Sequence, residues 1–427
     1  MRLKKAEKKM SLKFNIKDVI YTILFILYVT TFVTRVVDIP GWSSICLIII
    51  CVSDVFFITF FAKRRAFNKL IVFTSLFFGY FLFSTLFMCP DKFGLCLIRT
   101  IRRISFVLLI SYLFSRYKAM RTITILMKVM EVLNYVNLFF MILYPNGMYH
   151  SVTGTLGDEV VKNTRDFVRT SSTRVHWLLG HQTTLIRYVL PALCVAVLYS
   201  YFVNNQGKLC FRSKVLIITC LAEVLIANSA TNYIIIVMFI GIYLLHKYKI
   251  KFSLKSIIAI IIAVYVFFYT NNDSQWLNLL MSWMSNVMNR QVKISTRVSI
   301  WINAINAWLE HPIIGRGYLD EGNVEVWRIL SLGNPHSSFL WILYEGGIIA
   351  LILFLIYISI CSKSNYRFLY DKVACVISAS FIALLICMIT DDHIFRDSFP
   401  LLLFALCYYI PTIIKEKQFL YGGQSSE

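Results

Sequence analysis

Apolar residues come in long blocks along this chain, and short polar stretches separate them. Runs of roughly 16 to 22 apolar residues have the length of a helix that crosses a bilayer. They fall at 19–36, 43–61, 70–89, 95–114, 123–144, 185–203, 215–229, 231–246, 255–270, 339–360, 373–390 and 399–414. The reading is an all-α polytopic membrane protein of about twelve transmembrane helices. It is expected to form one integral membrane domain over residues 1–427. The apolar stretch 215–246 is too long for one untilted helix. The polar break "ANSATN" (227–232) is expected to split it with a tight turn.

Two segments between the blocks are long: residues 145–184 and 271–338. Loops of that length inside a compact protein usually carry function. The second is expected to be partly helical. Trp276, Leu279, Leu280 and Trp283 recur at helical spacing, as do Ile300, Ala304, Ala307 and Trp308, and Pro312, Gly315 and Gly317 then end the pattern. There is no internal repeat and no low-complexity tract.

Composition agrees with the pattern. The chain is 58% hydrophobic and 15% charged, against about half and about a quarter in a soluble domain. Its mean hydropathy is +0.69. The net charge of +21 does not indicate nucleic acid, because the basic residues cluster in alternate turns: "KRRAFNK", "SRYKAMR", "QGKLCFRSK", "HKYKIKFSLK" and "CSKSNYRFLYDK". By the positive-inside rule those turns and both termini are cytoplasmic, which makes both long loops extracytoplasmic. The basic start "MRLKKAEKKMSLKFNIKD" has no cleavage site before the first apolar run, which is therefore expected to be retained as a span. The 11 cysteines sit mostly in apolar runs without paired spacing and suggest neither a metal site nor disulfides.

Basic residues in the outer loops run against the positive-inside tendency, so their contexts carry weight. Arg174, His181 and Arg187 lie in "STRVHWLLGHQTTLIRYVLPAL" (172–193), where Trp177 and Leu178 are expected to dip into the interface before a turn at Gly180. Arg297 and Arg316 lie in "STRVSIWINAINAWLEHPIIGRGYLD" (295–320). His336 opens a helix that carries Glu345 nine residues further on, in "GNPHSSFLWILYEGGIIALILFL" (333–355). Their separation of roughly 13 Å along that helix excludes direct contact. Glu345 is read as pairing with a buried arginine, and Gly346 and Gly347 as allowing close helix approach. Arg99, Arg102 and Arg103 recur at i, i+3 and i+4 and share one helical face. They either snorkel to headgroups or line an anion site, or one of them is neutralised by Glu345. The outer turn "DDHIFRD" (391–397) is read as solvated, with an acceptor-sugar contact as the alternative.

An arginine, a tryptophan four residues on and "HPIIGRG", followed by "NPHSSFLWILYEGG", resemble the O-antigen ligase and O-antigen polymerase superfamily of membrane glycosyltransferases. "WLLGHQTT" is similar to that family's earlier loop-to-helix entry. The likeness covers roughly residues 170–360. Departures are "NSATN" (228–232) where the family often has "SRG", "HSS" where ligases have "HN", and Arg316 inside "GRG". The resemblance implies transfer of a glycan from an undecaprenyl-pyrophosphate carrier to an acceptor hydroxyl, at the outer face of the bacterial cytoplasmic membrane. It implies no cofactor and no metal. Arg174, Arg297 and His336 would act at the reacting centre: the arginines on the leaving pyrophosphate, the histidine as base. Arg187, His181, Arg316, Arg99, Arg102, Arg103 and Glu345 would bind or organise substrate. Expected partners are the lipid-linked oligosaccharide, membrane lipid, a chain-length regulator and a flippase, with no nucleic acid. The departures favour a polymerase over a ligase. A twelve-span flippase or transporter is the rival class, but the chain lacks the two similar halves such proteins commonly show.

Overall fold

A computed structural model describes residues 16–28, 42–64, 67–147, 149–150, 175–204, 208–248, 254–270, 294–320, 323–330, 334–363, 368 and 371–422. In chain order its helices are α1 (Ile16–Leu27), α2 (Trp42–Arg64), α3 (Lys69–Met88), α4 (Phe93–Arg116), α5 (Ala119–Leu143), α6 (Ile186–Val203), α7 (Phe211–Ala227), α8 (Ala230–Lys247) and α9 (Leu254–Thr270). They continue with α10 (Ile294–Glu310), α11 (Val324–Leu330), α12 (Ser338–Ser362), α13 (Lys372–Thr390), α14 (His393–Arg396), α15 (Leu401–Tyr408) and α16 (Ile410–Gly422). The one sheet among the described residues is a small antiparallel ribbon of β1 (Tyr149–His150), β2 (Val175–Trp177) and β3 (Gly180–His181).

Six of these helices are long and apolar enough to cross a bilayer: α2 (from Ser44), α3, α5, α6, α12 and α13. Their outward faces are apolar. On α2, Ile48, Val52 and Val55 are 62%, 66% and 68% exposed; a patch of that kind suits hydrocarbon, not water. The chain is therefore a multi-pass membrane protein. α13 is 89% buried and α6 78% buried, against 28% for α2, so α13 and α6 form the centre and α2 lies at the edge. α13 packs on α8, α6 and α15, while α6 packs on α5 and α7.

The stretch 215–246 divides between α7 and α8, as its polar break predicts. Asn228 takes the left-handed conformation (φ 44°) that ends α7, a conformation that asparagine tolerates better than most residues. The apolar run 399–414 is not one helix. It divides at Tyr409, just before Pro411, into α15 and α16. The helical spacing of Ile300, Ala304, Ala307 and Trp308 is present as α10, which buries Ile300, Trp301, Ala304 and Ala307. Trp276 to Trp283 lie outside the described residues.

α12 is a broken helix. At Gly347 (φ 60°, ψ −159°) α12 leaves helical geometry. In a bilayer each orphaned backbone group would cost several kcal/mol. The segment "HPIIGRG" fills the break. The Arg316 N–H donates to the Tyr344 carbonyl (2.7 Å), the Gly317 N–H to the Glu345 carbonyl (3.0 Å), and the Ile348 N–H to the Pro312 carbonyl (2.9 Å). From α3, the Ser84 hydroxyl reaches the Glu345 carbonyl (2.6 Å) and the Ile314 carbonyl (2.8 Å). Glycine is required because backbone meets backbone here. A Cβ on Gly315 (φ +81°) would lie 2.5 Å from the Glu345 carbonyl carbon, and one on Gly347 2.3 Å from the Ile313 carbonyl oxygen. Gly347 thus admits a loop, where a helix–helix contact was expected. Gly347→Ala should cost at least about 1–3 kcal/mol from backbone conformation alone. Thermal unfolding of the detergent-solubilised protein reads this, and an unchanged midpoint would contradict loop insertion.

Candidate functional site

Glu345 sits immediately before the break, fully buried. One carboxylate oxygen accepts the Leu319 N–H (2.7 Å), and the other pairs with Arg99 of α4. The Arg99 guanidinium also stacks on the Tyr318 ring, 4.4 Å from its centroid. The pair therefore joins α4, α12 and the end of the inserted loop. Lys92, at the start of α4, reinforces this junction through an ion pair with Asp320 (2.7 Å).

Arg103 lies one turn along α4 and is buried. Its Nε donates to the Ile394 carbonyl (2.8 Å), Nη1 to the Arg99 carbonyl (2.7 Å), and Nη2 to the Phe395 carbonyl. Arg102 does not share this environment. Its Nε is buried without a hydrogen-bond partner. Of the readings for the three arginines, neutralisation of one by Glu345 is what the structure shows, for Arg99, while Arg102 and Arg103 differ in surroundings. Spacing of i and i+4 brings Arg99 and Arg103 into the interior. The intervening Arg102 is rotated off that line.

The turn 391–397 is not solvated. Asp391, Asp392 and Asp397 are 7%, 2% and 4% exposed. Arg187, in the first turn of α6, is itself buried and donates to Asp392 Oδ1 (3.0 Å) and Asp391 Oδ1 (3.4 Å). The Tyr188 hydroxyl donates to Asp397 Oδ2. Buried carboxylates need such partners. The pairing was invisible in sequence because 204 residues separate Arg187 from Asp391.

The same turn holds the mouth of α12. The Ser338 N–H and hydroxyl both donate to the Asp391 carbonyl, at 3.0 and 2.9 Å. Ser337 caps α12, its side chain accepting the Leu340 N–H. His336 stands just before, half-buried, in a left-handed conformation (φ 45°), and its N–H donates to Asn334 Oδ1 (2.9 Å). A non-glycine residue held there carries backbone strain, a feature that concentrates at functional sites. The Ser337 hydroxyl also meets the Tyr265 hydroxyl of α9, and the Tyr265 ring packs edge-on against Trp301 of α10 at 5.5 Å. Trp301 is one turn beyond Arg297. The arginine–tryptophan spacing therefore brings the helix of Arg297 to the neighbourhood of His336.

The earlier loop packs against α5 and α8. Leu178 and Leu179 form the buried tip of the β2–β3 hairpin. Trp177 Nε1 donates to the Tyr144 carbonyl (2.9 Å), and the Leu179 N–H to Asn137 Oδ1 (3.0 Å). Asn137 Nδ2 donates in turn to the fully buried Glu223 of α7 (2.7 Å). Asn232 of α8 donates to the Gln182 carbonyl (2.8 Å). The segment "NSATN", lacking the family's arginine, thus holds the hairpin through an amide. Sequence reading missed Asn137, Glu223 and Asn232. The available signal was polar side chains inside apolar runs.

Arg316 reaches Glu310 with Nη2 and the Ala307 carbonyl with Nε (3.1 Å), which locks the end of α10. Arg174 lies outside the described residues. Arg297 and His181 are placed by backbone, in α10 and β3, and their side chains lie outside the description.

Residues 215–355 match the family model described as O-Antigen ligase. They span most of α7, then α8 to α11, the inserted loop, His336 and the broken part of α12. No curated protein matches the chain.

Proposed function

We propose, from the match of residues 215–355 to the O-Antigen ligase family model, that the chain is a polysaccharide polymerase of the O-antigen ligase and polymerase superfamily. It joins undecaprenyl-pyrophosphate-linked repeat units of an O-antigen, capsule or exopolysaccharide. The reaction lies at the outer face of the bacterial cytoplasmic membrane, in a twelve-span topology with both termini cytoplasmic. The basic turns support that orientation. The observation that carries the reading is the meeting of His336, held at φ 45°, with the Ser337–Tyr265–Trp301 contact that leads to the helix of Arg297.

In this proposal His336 takes the proton of the acceptor hydroxyl. The hydroxyl oxygen then bonds the donor's anomeric carbon, and the bond from that carbon to the pyrophosphate oxygen breaks. The lipid pyrophosphate leaves with the electron pair, and its growing charge needs fixed cations. Arg99, Arg187 and Arg316 each face a carboxylate, so they organise backbone around the site. Charge for the diphosphate then falls to Arg297 and Arg174, with His181 beside the entry. No metal is required. The partners are the lipid-linked oligosaccharide, membrane lipid, a flippase that delivers it and a chain-length regulator.

"HSS" at 336–338 and the amide-bearing "NSATN" turn, in place of ligase-type residues, favour polymerase over ligase. Surface polysaccharide from a deletion strain tests this on a gel. A single-repeat band is expected. Long chains accumulating on the carrier lipid would make the protein a ligase, and repeat units retained at the cytoplasmic face would make it a flippase.

A further inference from the structure

The end of the molecule opposite the candidate site carries a second feature that the proposed reaction does not use. The C-terminal ends of α2 and α4 meet the N-terminal end of α1, and between them lies a cavity of about 660 Å³. That size is within the roughly 300–1,000 Å³ range of ligand pockets. Its wall is aromatic. Phe56, Phe57 and Phe60 of α2 pack around Tyr112 of α4 with centroids 5.6, 4.9 and 4.8 Å away. Tyr21 closes the far side, its hydroxyl 3.1 Å from that of Tyr117. Phe56 and Val52 are 55% and 66% exposed, so the groove opens sideways, toward where lipid chains lie.

Its rim is basic. Lys63 and Arg64 end α2, and Arg116 ends α4. Among the described residues none of the three pairs with a carboxylate. The nearby acid, Asp18 of α1, is engaged by Arg121 (3.1 Å) and Lys128 (3.3 Å). Helix C-termini attract cations through the macrodipole, which accounts for single basic residues there. It does not account for their convergence on one aromatic groove. Basic pockets between transmembrane helices on the cytoplasmic side suit lipid phosphates, and in the proposed topology this end is cytoplasmic.

We propose that this groove binds one anionic diacyl phospholipid of the inner leaflet. Its phosphodiester lies among Lys63, Arg64 and Arg116, and an acyl chain lies on the phenylalanine wall. The site is distinct from the one that handles the glycan donor, and its test does not depend on activity. Full-length protein purified in detergent would be mixed with equal phosphatidylglycerol and phosphatidylcholine, and retained lipid counted by native mass spectrometry. Phosphatidylglycerol should be retained at least about tenfold over phosphatidylcholine. Inorganic phosphate at millimolar concentration should not displace it. A Lys63→Gln, Arg64→Gln, Arg116→Gln variant should reduce the preference to near unity. Equal retention of the two lipids by the unaltered protein would overturn the proposal without recourse to the variant. Displacement by inorganic phosphate would also overturn it, by showing a free-anion site. An unchanged preference in a variant that elutes as a monodisperse peak would overturn the assigned residues.

Discussion

Replacing His336 by alanine should abolish long-chain polymer in cells while leaving the protein inserted. A positioned general base contributes about 10²–10⁴-fold, and polymer length compounds the loss because every added repeat needs the step. Asn334 receives the main-chain N–H of His336, and Ser337 and Ser338 secure the helix start, so these backbone bonds remain in His336→Ala. The gel should show one-repeat product. Arg297→Ala should give the same gel. Long polymer in both mutants, each present at wild-type abundance, would remove the enzymatic assignment.

Glu345→Leu should produce the largest loss of stability. It leaves Arg99 facing an apolar side chain in the interior and removes the acceptor of the Leu319 N–H. Breaking one side of a buried ion pair costs about 3–5 kcal/mol. The damage should spread, because the same residue's carbonyl receives Gly317 and Ser84, and these hold the inserted loop. The double variant Arg99→Met, Glu345→Leu should recover part of the loss, since no charge is then stranded. Thermal unfolding of the wild type, Arg99→Met, Glu345→Leu and the double variant in one detergent measures this as a double-mutant cycle. Equal midpoints for the single and double variants would mean that the ion pair is not the connection between α4 and α12.

These predictions separate two kinds of residue that looked alike in sequence. Arg99, Arg187, Arg297 and Arg316 were all basic residues near helix ends. Three of them face carboxylates from other segments: Glu345, Asp391 with Asp392, and Glu310. Those carboxylates neutralise charge that would otherwise be available to a diphosphate. Glu345 was legible as the partner of some buried arginine, because a carboxylate in an apolar helix must be matched. Which arginine matched it was not. That depended on the fold bringing Arg99 within reach of Glu345, 246 residues away. The turn 391–397 misled for the same reason, since acidic residues next to a polar break read as solvated until a distant arginine buries them.

What the sequence determined alone was the class of the protein and the division of residues 215–246 into two helices. Apolar run length is set by bilayer thickness, and the split at Asn228 by local backbone preference. Both are short-range constraints that a linear pattern records. The motif around Arg297, "HPIIGRG" and His336 was likewise readable, as a set of neighbours in the chain. Only the tertiary structure decided that "HPIIGRG" is built into α12 as a replacement for its missing helical hydrogen bonds. Only it decided that Asp391 joins Arg187 to the mouth of that helix. Such contacts satisfy buried backbone and charge between remote segments, and that satisfaction has no period along the chain.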